Sequence, residues 1–263
     1  MGLATMALIG WGIVSLAMIL LFLYQRSRSD AGIVDVGWAS GVGFLSLFYA
    51  LMAEGDPARR AVVAALGMAW GGRLAFYLFR DRVLPPGEDG RYKTLREKWG
   101  EKAQAWFFVF FQVQAAWAVL FSLPFLAATA NPVPAFTPWD VLGIAVFAVA
   151  LAGETLADRQ LSRFRAEPAN RGMVCREGLW RYSRHPNYFF EWIHWFAYVL
   201  LAAGSPLWLL TLLGPVLMLL FLFKVTGIPY TEAQALKSRG ERYREYQRTT
   251  SAFFPWFPKE HRR

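Results

Sequence analysis

The chain has 263 residues, of which 56% are hydrophobic, 17% aromatic and only 18% charged, and its mean hydropathy is +0.28. This composition is too apolar for an ordinary soluble domain and indicates a membrane protein. The formal net charge of +9 is explained by basic loops that face anionic lipid headgroups, or by an anionic ligand such as a nucleotide phosphate. Short loops tied to a bilayer do not form one open basic face, so no nucleic-acid partner is expected.

Apolar runs in the sequence recur at the length of a membrane-spanning helix. About 20 residues cross the roughly 30 Å hydrocarbon core of a bilayer. We therefore predict an all-α, polytopic membrane protein with seven transmembrane helices at residues 3–24, 31–53, 60–79, 104–129, 139–157, 187–204 and 206–224. The stretches between these runs are short, so residues 1–263 are expected to form a single seven-helix membrane domain.

Basic residues are unevenly distributed between the loops. Residues 80–102, 159–184 and 237–263 are rich in Lys and Arg, whereas 130–138 and 203–206 have none. The positive-inside rule places the basic stretches in the cytoplasm, which puts the N-terminus outside and the C-terminus inside. The first run has no basic segment before it and is predicted to be a retained helix rather than a signal peptide. We expect an integral, multi-pass monomer among membrane lipids, in the inner membrane if the source is bacterial.

Polar side chains occur inside the second and third apolar runs. Asp35 and Trp38 lie in the second run, with no basic residue adjacent to Asp35, and Arg73 lies in the third. A carboxyl group buried in an apolar bundle resists ionisation, so Asp35 is expected to stay protonated and to donate a hydrogen bond. The alternative is an aspartate at a helix end, level with the lipid headgroups.

The fifth apolar run continues into a polar helical face. Glu154, Asp158 and Arg165 fall within about 40° of one another at 100° per residue, so a continuous helix places them on one side. They are either a ligand-binding face or an intrahelical ion-pair ladder that ends the helix.

The sixth run begins with a second polar face. Its polar residues recur at spacings of four, three and four, at Asn187, Glu191, His194 and Tyr198. Pro186 suits the first turn of this helix, where a backbone N–H would have no partner. Two polar faces from sequential helices are therefore expected to converge near the cytoplasmic interface.

The loop between these helices is rich in arginine and contains the single cysteine. Guanidinium groups beside a helix start suit a phosphate or pyrophosphate, so an anionic cofactor is predicted to bind Arg171, Arg176, Arg181 and Arg184. A lone Cys175 allows no intramolecular disulfide, and three widely spaced histidines predict no metal site. No glycine-rich signature of a Rossmann domain is present.

These motifs together resemble the steroid 5-alpha-reductase superfamily, and most closely its bacterial DUF1295 branch. The resemblance covers most of the chain and is strongest from about residue 150 onward. The segments that carry it are Ile33-Val34-Asp35 with Trp38, Asp158 with Arg165, Gly178-Leu179-Trp180 through Ser183-Arg184-His185-Pro186-Asn187-Tyr188 with Glu191, and Tyr243-Arg244-Glu245-Tyr246 to Phe254-Pro255.

The resemblance implies an enzyme that uses NADPH to reduce the carbon–carbon double bond of a lipophilic α,β-unsaturated ketone. A 3-oxo-4-ene steroid, reduced to its 5-alpha-dihydro product, is an example. The cofactor is expected in the half formed by about residues 139–263, and the substrate is expected to enter from the bilayer. The implied cofactor-binding residues are Glu154, Asp158, Arg165, Arg181, Tyr182, Arg184, His185, Asn187, Glu191, Trp195, Lys224, Tyr243 and Tyr246.

The resemblance also implies a catalytic residue and substrate contacts. Asp35 takes the place of the family glutamate that holds the substrate's carbonyl oxygen, and Trp38 and Arg73 are implied substrate contacts. Trp70, the third implied contact, stands where the animal enzymes have a tyrosine. An indole N–H donates a hydrogen bond but delivers no proton, so either Asp35 carries more of the polarising role or a nearby tyrosine substitutes.

Two other functions remain open at this point. Isoprenylcysteine carboxyl methyltransferases share the Arg-His-Pro segment, so a membrane methyltransferase that uses S-adenosylmethionine is the first alternative. A lipid-binding or transport protein without catalysis is the second. The Asp158/Arg165 pair and the segment from Asp35 to Trp38 favour the reductase.

Overall fold

The computed structural model describes residues 1–225 and 227–259, and every regular element within them is helical. The α-helices that end at Leu78 and Leu220 continue into π-helical turns at Phe79–Val83 and Phe221–Val225. The α-helices are α1 (Leu3–Arg28), α2 (Ile33–Met52), α3 (Pro57–Leu78), α4 (Gly90–Trp99), α5 (Ala103–Thr129), α6 (Pro138–Ala166), α7 (Pro186–Ile193), α8 (Trp195–Leu201), α9 (Leu213–Leu220), α10 (Ile228–Arg239) and α11 (Glu241–Thr249).

Six helical runs in the described part of the chain are long and apolar enough to cross a membrane. They are Leu3–Arg28, Ile33–Met52, Pro57–Val83, Gly90–Thr129, Pro138–Ala166 and Trp208–Arg239. This agrees with an integral, multi-pass membrane protein. The predicted span at 187–204 is divided into α7 and α8 by a break at His194, and each of the two is shorter than a bilayer crossing requires. The count of seven spans and the orientation of the termini stay predictions.

Residues 1–140 and 201–214 form one compact unit. Helices α2 and α3 cross at Gly43 and Gly71, where a Cβ atom added to Gly71 would lie 2.7 Å from the Cα atom of Gly43. Glycine at both positions lets the helices approach as closely as membrane helices do at small residues. Large side chains that are almost fully buried fill the remaining core of this unit: Trp70, Phe107, Phe111, Phe121 and Phe125.

A buried ion pair fixes the loop that precedes α6 in this unit. Arg59 donates to both carboxylate oxygens of Asp140, at 2.7 and 2.8 Å, and the two side chains are 1% and 4% exposed. The same guanidinium donates to the carbonyl oxygens of Val133 and Pro134, and Thr137 donates to Asp140 at 2.7 Å. Each charged group is therefore satisfied by hydrogen bonds, as a buried ion pair requires.

Residues 141–200 and those from 215 onward form a second compact unit. Helix α6 is continuous through the predicted polar face, and α7 packs directly on it, since a Cβ atom at Gly153 would lie 2.5 Å from the Phe190 ring. Aromatic rings of α7 contact the C-terminal segment, with Phe189 and Trp192 both beside Phe253. The single domain with its cofactor half at 139–263 stays a prediction.

Candidate functional site

The polar faces of α6 and α7 meet inside the second unit. The side-chain amide of Asn187 donates to Asp158 at 3.2 Å. Glu154 on α6 is 5% exposed and Glu191 on α7 is 8% exposed. The predicted convergence of the two faces is therefore confirmed for Asp158 and Asn187.

The side chain of Asn187 also presents an acceptor that the protein does not use. Its Oδ1 atom is buried and accepts no hydrogen bond from any described residue. A buried polar atom without a partner costs about 1–3 kcal/mol. A ligand that brings an amide or amino N–H to this point would recover that free energy.

The break between α7 and α8 lies directly after this polar face. His194 hydrogen-bonds through Nδ1 with the carbonyl oxygen of Glu191, and its ring centroid is 4.7 Å from that of the fully buried Trp195. Glu191 lies on α7 and Trp195 on α8. Residues 187–204 therefore do not form one continuous helix with a single polar face.

The segment that precedes α7 is held against α6. Gly178 has a φ of +54°, a conformation that favours glycine, and begins a 3₁₀ turn that ends at Arg181. The buried Trp180 donates from its indole nitrogen to the carbonyl oxygen of Ala157 at 2.9 Å, and the backbone N–H of Leu179 donates to Gln160 at 3.0 Å. These bonds fix the loop from which Arg181 and Tyr182 project.

Arg184 and His185 are bound to the C-terminal helices. The Arg184 guanidinium donates to Glu232 at 2.7 Å and to the carbonyl oxygens of Gln247 and Thr250 at 3.0 and 2.7 Å. His185 lies 3.3 Å from the same Glu232 oxygen and stacks on Tyr188. Burial lowers the pKa of His185 below its usual value, although the hydrogen bond to Glu232 acts in the opposite direction. Arg184 therefore uses protein partners to stabilise the loop, and it does so without a ligand.

The two C-terminal tyrosines of the predicted cofactor set also hold the loop. The Tyr246 hydroxyl lies within hydrogen-bonding distance of the carbonyl oxygens of Trp180 and Ser183, and its ring contacts that of Tyr243. Both tyrosines are buried, and burial raises the pKa of each above its usual value. Tyr182, by contrast, is half-buried against Phe257.

Three basic residues of the predicted cofactor set keep their charged groups accessible. Arg165 lies in the last turn of α6, Arg181 at the end of the 3₁₀ turn and Lys224 in the π-helical turn after α9, and all three are exposed. These cations remain available to an anionic group.

Asp35 lies at the start of α2 and accepts hydrogen bonds from three side chains. They are the guanidinium groups of Arg82 and Arg91, the latter at 3.1 Å, and the hydroxyl of Tyr92 at 2.8 Å. The expectation that no cation neutralises Asp35 is wrong, because the guanidinium groups of Arg82 and Arg91, from elsewhere in the chain, pair with its carboxyl group. In this cluster the hydroxyl proton belongs to Tyr92.

The predicted substrate contacts lie in the same unit as Asp35. The Trp38 ring packs edge-to-face against both Trp70 and Phe121, with centroids 6.1 and 5.4 Å apart. Trp70 is fully buried, and Arg73 follows it on α3 and is half-buried. The structure thus brings Trp38 and Trp70 together. Trp38 lies one turn of α2 beyond Asp35.

Comparison with known proteins assigns the chain to a family. The model of the family described as "Protein of unknown function (DUF1295)" matches residues 21–250. The chain belongs to the DUF1295 family. An uncharacterized protein of Schizosaccharomyces pombe is 28% identical over 180 residues, which cover 60% of this chain and 52% of that relative. The chain thus spans about half the length of that relative, and no solved structure matches it.

Within this DUF1295 protein, sequence reasoning missed the residues that pair with the predicted ones. Arg82, Arg91 and Tyr92 lie in a stretch whose sequence pattern indicates only a basic loop, and they are 47 to 57 residues from their partner Asp35. Glu232 lies 48 residues beyond Arg184. No helical spacing links positions so far apart, although an intramembrane carboxylate does indicate that a cationic partner exists somewhere in the chain.

Proposed function

We propose that this protein reduces the carbon–carbon double bond of a lipophilic α,β-unsaturated ketone with NADPH. The observation that carries the proposal is the Tyr92 hydroxyl held at 2.8 Å by Asp35. A reduction of this kind needs a proton donor where charge develops on the carbonyl oxygen. The DUF1295 family includes steroid 5-alpha-reductase-like proteins, which gives the same reaction class.

Residues of the second unit fit the chemical groups of NADPH. The buried Oδ1 atom of Asn187, which accepts nothing from the described residues, suits an amide or amino N–H of a dinucleotide. The exposed guanidinium groups of Arg165 and Arg181 suit its phosphates, because planar guanidinium donors match phosphate oxygens. The fixed loop before α7 would hold these groups in place.

In the proposed reaction, the residues of the first unit stabilise the developing charge. When bound, NADPH supplies the hydride that adds to the β-carbon of the enone. The electron pair of the double bond then moves towards the carbonyl oxygen, and the Tyr92 O–H, which donates to Asp35 in the free protein, turns to donate its one proton to that oxygen. Asp35 orients that hydroxyl, and Arg82 and Arg91 offset the charge of the carboxylate.

Protonation of the α-carbon completes the addition of one hydride and one proton. Asp35 and Arg91 are 17% and 25% exposed at the side chain, so water reaches the edge of the cluster. The Tyr92 proton passes to the carbonyl oxygen to give an enol, a proton from water adds to the α-carbon, and the enol proton returns to Tyr92, so that one hydride and one proton are added in net. The half-buried Trp38 supplies an apolar surface beside the cluster, which suits a lipophilic ketone, and the fully buried Trp70 packs against it.

Cofactor identity is the first test of this proposal. Full-length protein purified in detergent is heated with NADPH, with NADH or with S-adenosylmethionine, and its melting temperature is recorded. We expect stabilisation by NADPH, of about 2.7 kcal/mol at a concentration 100 times Kd, and none by S-adenosylmethionine. Stabilisation by S-adenosylmethionine alone would instead establish the methyltransferase alternative.

Product formation is the second test. The same protein is incubated with NADPH and progesterone, testosterone or an isoprenoid enone, and products are identified by mass spectrometry. We expect a product heavier by two hydrogens from at least one enone, with one deuterium incorporated when the cofactor carries the label on its transferable hydrogen. Binding of NADPH without reduction of any enone would contradict the proposed reaction.

A further inference from the structure

Helices α1 and α2 are consecutive and antiparallel, and two cavities lie along the seam between them. An apolar groove of about 470 Å³ is lined by Ile13, Ala17 and Leu20 of α1 and by Val36, Gly37 and Ser40 of α2. A polar cavity of about 320 Å³ follows at the end where the helices are joined. Both belong to the first unit.

The two cavities are parts of one continuous path on α1. The α1 residues that line the apolar groove continue into those that line the polar cavity, at spacings of four, three, four and four: Ile13, Ala17, Leu20, Tyr24 and Arg28. Such spacings keep side chains on one face of a helix. On α2, Ile33 lines the polar cavity and Val36, one turn later, lines the groove.

Charges of both signs line the polar cavity. Arg28 is exposed at the end of α1, and the neighbouring Asp30 is half-buried. Burial raises the pKa of Asp30, the N–H of Gly32 opposes this, and the charges of Glu88 and Asp89 raise it further. Glu88, which also lines the cavity, is already paired with Arg96 at 2.7 Å. An ammonium group beside Asp30 would relieve the repulsion between these carboxylates.

We propose that the α1–α2 seam binds a phospholipid with a phosphoethanolamine headgroup. The phosphate pairs with Arg28, the primary ammonium with Asp30, and one acyl chain lies in the apolar groove. A guanidinium and a carboxylate two residues apart complement a zwitterionic headgroup, whereas a wholly anionic headgroup would face Asp30 and Glu88. This site is independent of the proposed reaction, since it uses none of the residues assigned to it.

The headgroup preference is testable by native mass spectrometry of the delipidated full-length protein. Equimolar phosphatidylethanolamine, phosphatidylcholine and phosphatidylglycerol with identical acyl chains are added together, and the bound fraction of each is measured. Phosphatidylethanolamine should bind most. Phosphatidylcholine carries a trimethylated nitrogen that donates no hydrogen bond, and phosphatidylglycerol carries no cation.

Matched variants separate the two parts of the site. Arg28→Gln and Asp30→Asn should each reduce bound phosphatidylethanolamine about tenfold, the usual effect of losing a hydrogen bond to a charged group. Arg26→Gln, which removes an exposed arginine outside the cavities, should leave binding unchanged. Ala17→Phe should reduce the binding of all three lipids, because it fills the groove. Ser40→Leu replaces it if circular dichroism shows that Ala17→Phe folds poorly. Ala148→Phe, on the exposed face of α6, should leave the binding of all three unchanged.

Three outcomes would overturn the proposal. They are equal binding of phosphatidylethanolamine and phosphatidylcholine, equal losses in Arg28→Gln and Arg26→Gln, and a dimer that Ala17→Phe abolishes. The last result would assign the groove to a second copy of the chain.

Discussion

Two Arg–Asp clusters in the first unit use the same chemistry in opposite ways. In the pair of Arg59 and Asp140, both side chains are almost fully buried and every charged group has protein partners. In the cluster around Asp35, the three charged side chains are 17–25% exposed, and the hydroxyl of the buried Tyr92 is one of the partners. The first cluster can only stabilise the fold, whereas the second retains an O–H group and a partly exposed edge.

The largest effect is expected from removing that hydroxyl group. Tyr92→Phe should slow enone reduction by about 100- to 10,000-fold, the usual contribution of a positioned proton donor, because phenylalanine has no O–H group to donate to the carbonyl oxygen. Rates are measured with saturating NADPH. Tyr49→Phe is the control, since it removes a buried hydroxyl of the same unit that lies 3.2 Å from Ser122. If Tyr92→Phe and Tyr49→Phe reduce the enone at equal rates, the cluster around Asp35 has no catalytic role.

Breaking the buried pair should produce the next largest effect, on stability rather than on chemistry. Arg59→Met leaves Asp140 buried without a cation and should cost about 3–5 kcal/mol. Arg82→Met should cost less, because Asp35 retains Arg91 and Tyr92. Denaturant or thermal unfolding in detergent measures both.

The double variant Arg59→Met/Asp140→Leu tests the reason for that cost. Replacing both charges with apolar groups removes the uncompensated carboxylate, so the double variant should recover most of the stability that Arg59→Met loses. A double variant as unstable as the single one would mean that the bonds to Val133 and Pro134, rather than the charges, fix the loop.

The second unit offers a third arrangement to compare with the two Arg–Asp clusters, since the neutral amide of Asn187 donates to the Asp158 carboxylate. Asn187→Leu removes the acceptor that no described residue uses and should weaken NADPH binding about tenfold, as measured by calorimetric titration. Asn170→Leu, which loses a bond to the carbonyl oxygen of Phe164, is the control. Unchanged affinity in Asn187→Leu would remove this residue from the cofactor site.

The smallest effect concerns the pH dependence of the Arg184–Glu232–His185 cluster. The folded state lowers the pKa of His185 below its usual value of about 6.5. The unfolded state therefore binds more protons just below that pH, and stability falls as the solution is acidified from pH 7. His185→Gln should lose less stability than the wild type between pH 7 and pH 5. A parallel loss in both proteins would exclude His185 as the cause.

The length of the apolar runs was sufficient to predict the long helices of the first unit, although not the short, polar α4. The predicted runs 31–53 and 104–129 correspond closely to α2 and α5, because length and apolar content decide whether a segment becomes a membrane helix. The continuity of α6 was equally predictable. The break at His194 was not, since the residues on both sides of it are apolar and aromatic.

Local spacing predicted which polar residues share a helix face, but it did not predict which side chains pair with them. The meeting of Asp158 and Asn187 followed from two faces on sequential helices. The partners of Asp35 did not, because Arg82, Arg91 and Tyr92 come from distant segments that are brought to it by tertiary packing. The same reason explains why Glu232 was overlooked beside Arg184.

The chain from Thr250 to Trp256 has a consequence for biogenesis. Its carbonyl oxygens at Ser251 and Phe253 accept from the Arg184 backbone and the Ser183 hydroxyl, and the Trp256 backbone donates to the Tyr182 carbonyl. Residues 182–184 leave the ribosome long before these partners are synthesised. The loop before α7 is therefore completed only after the chain has been synthesised through Trp256.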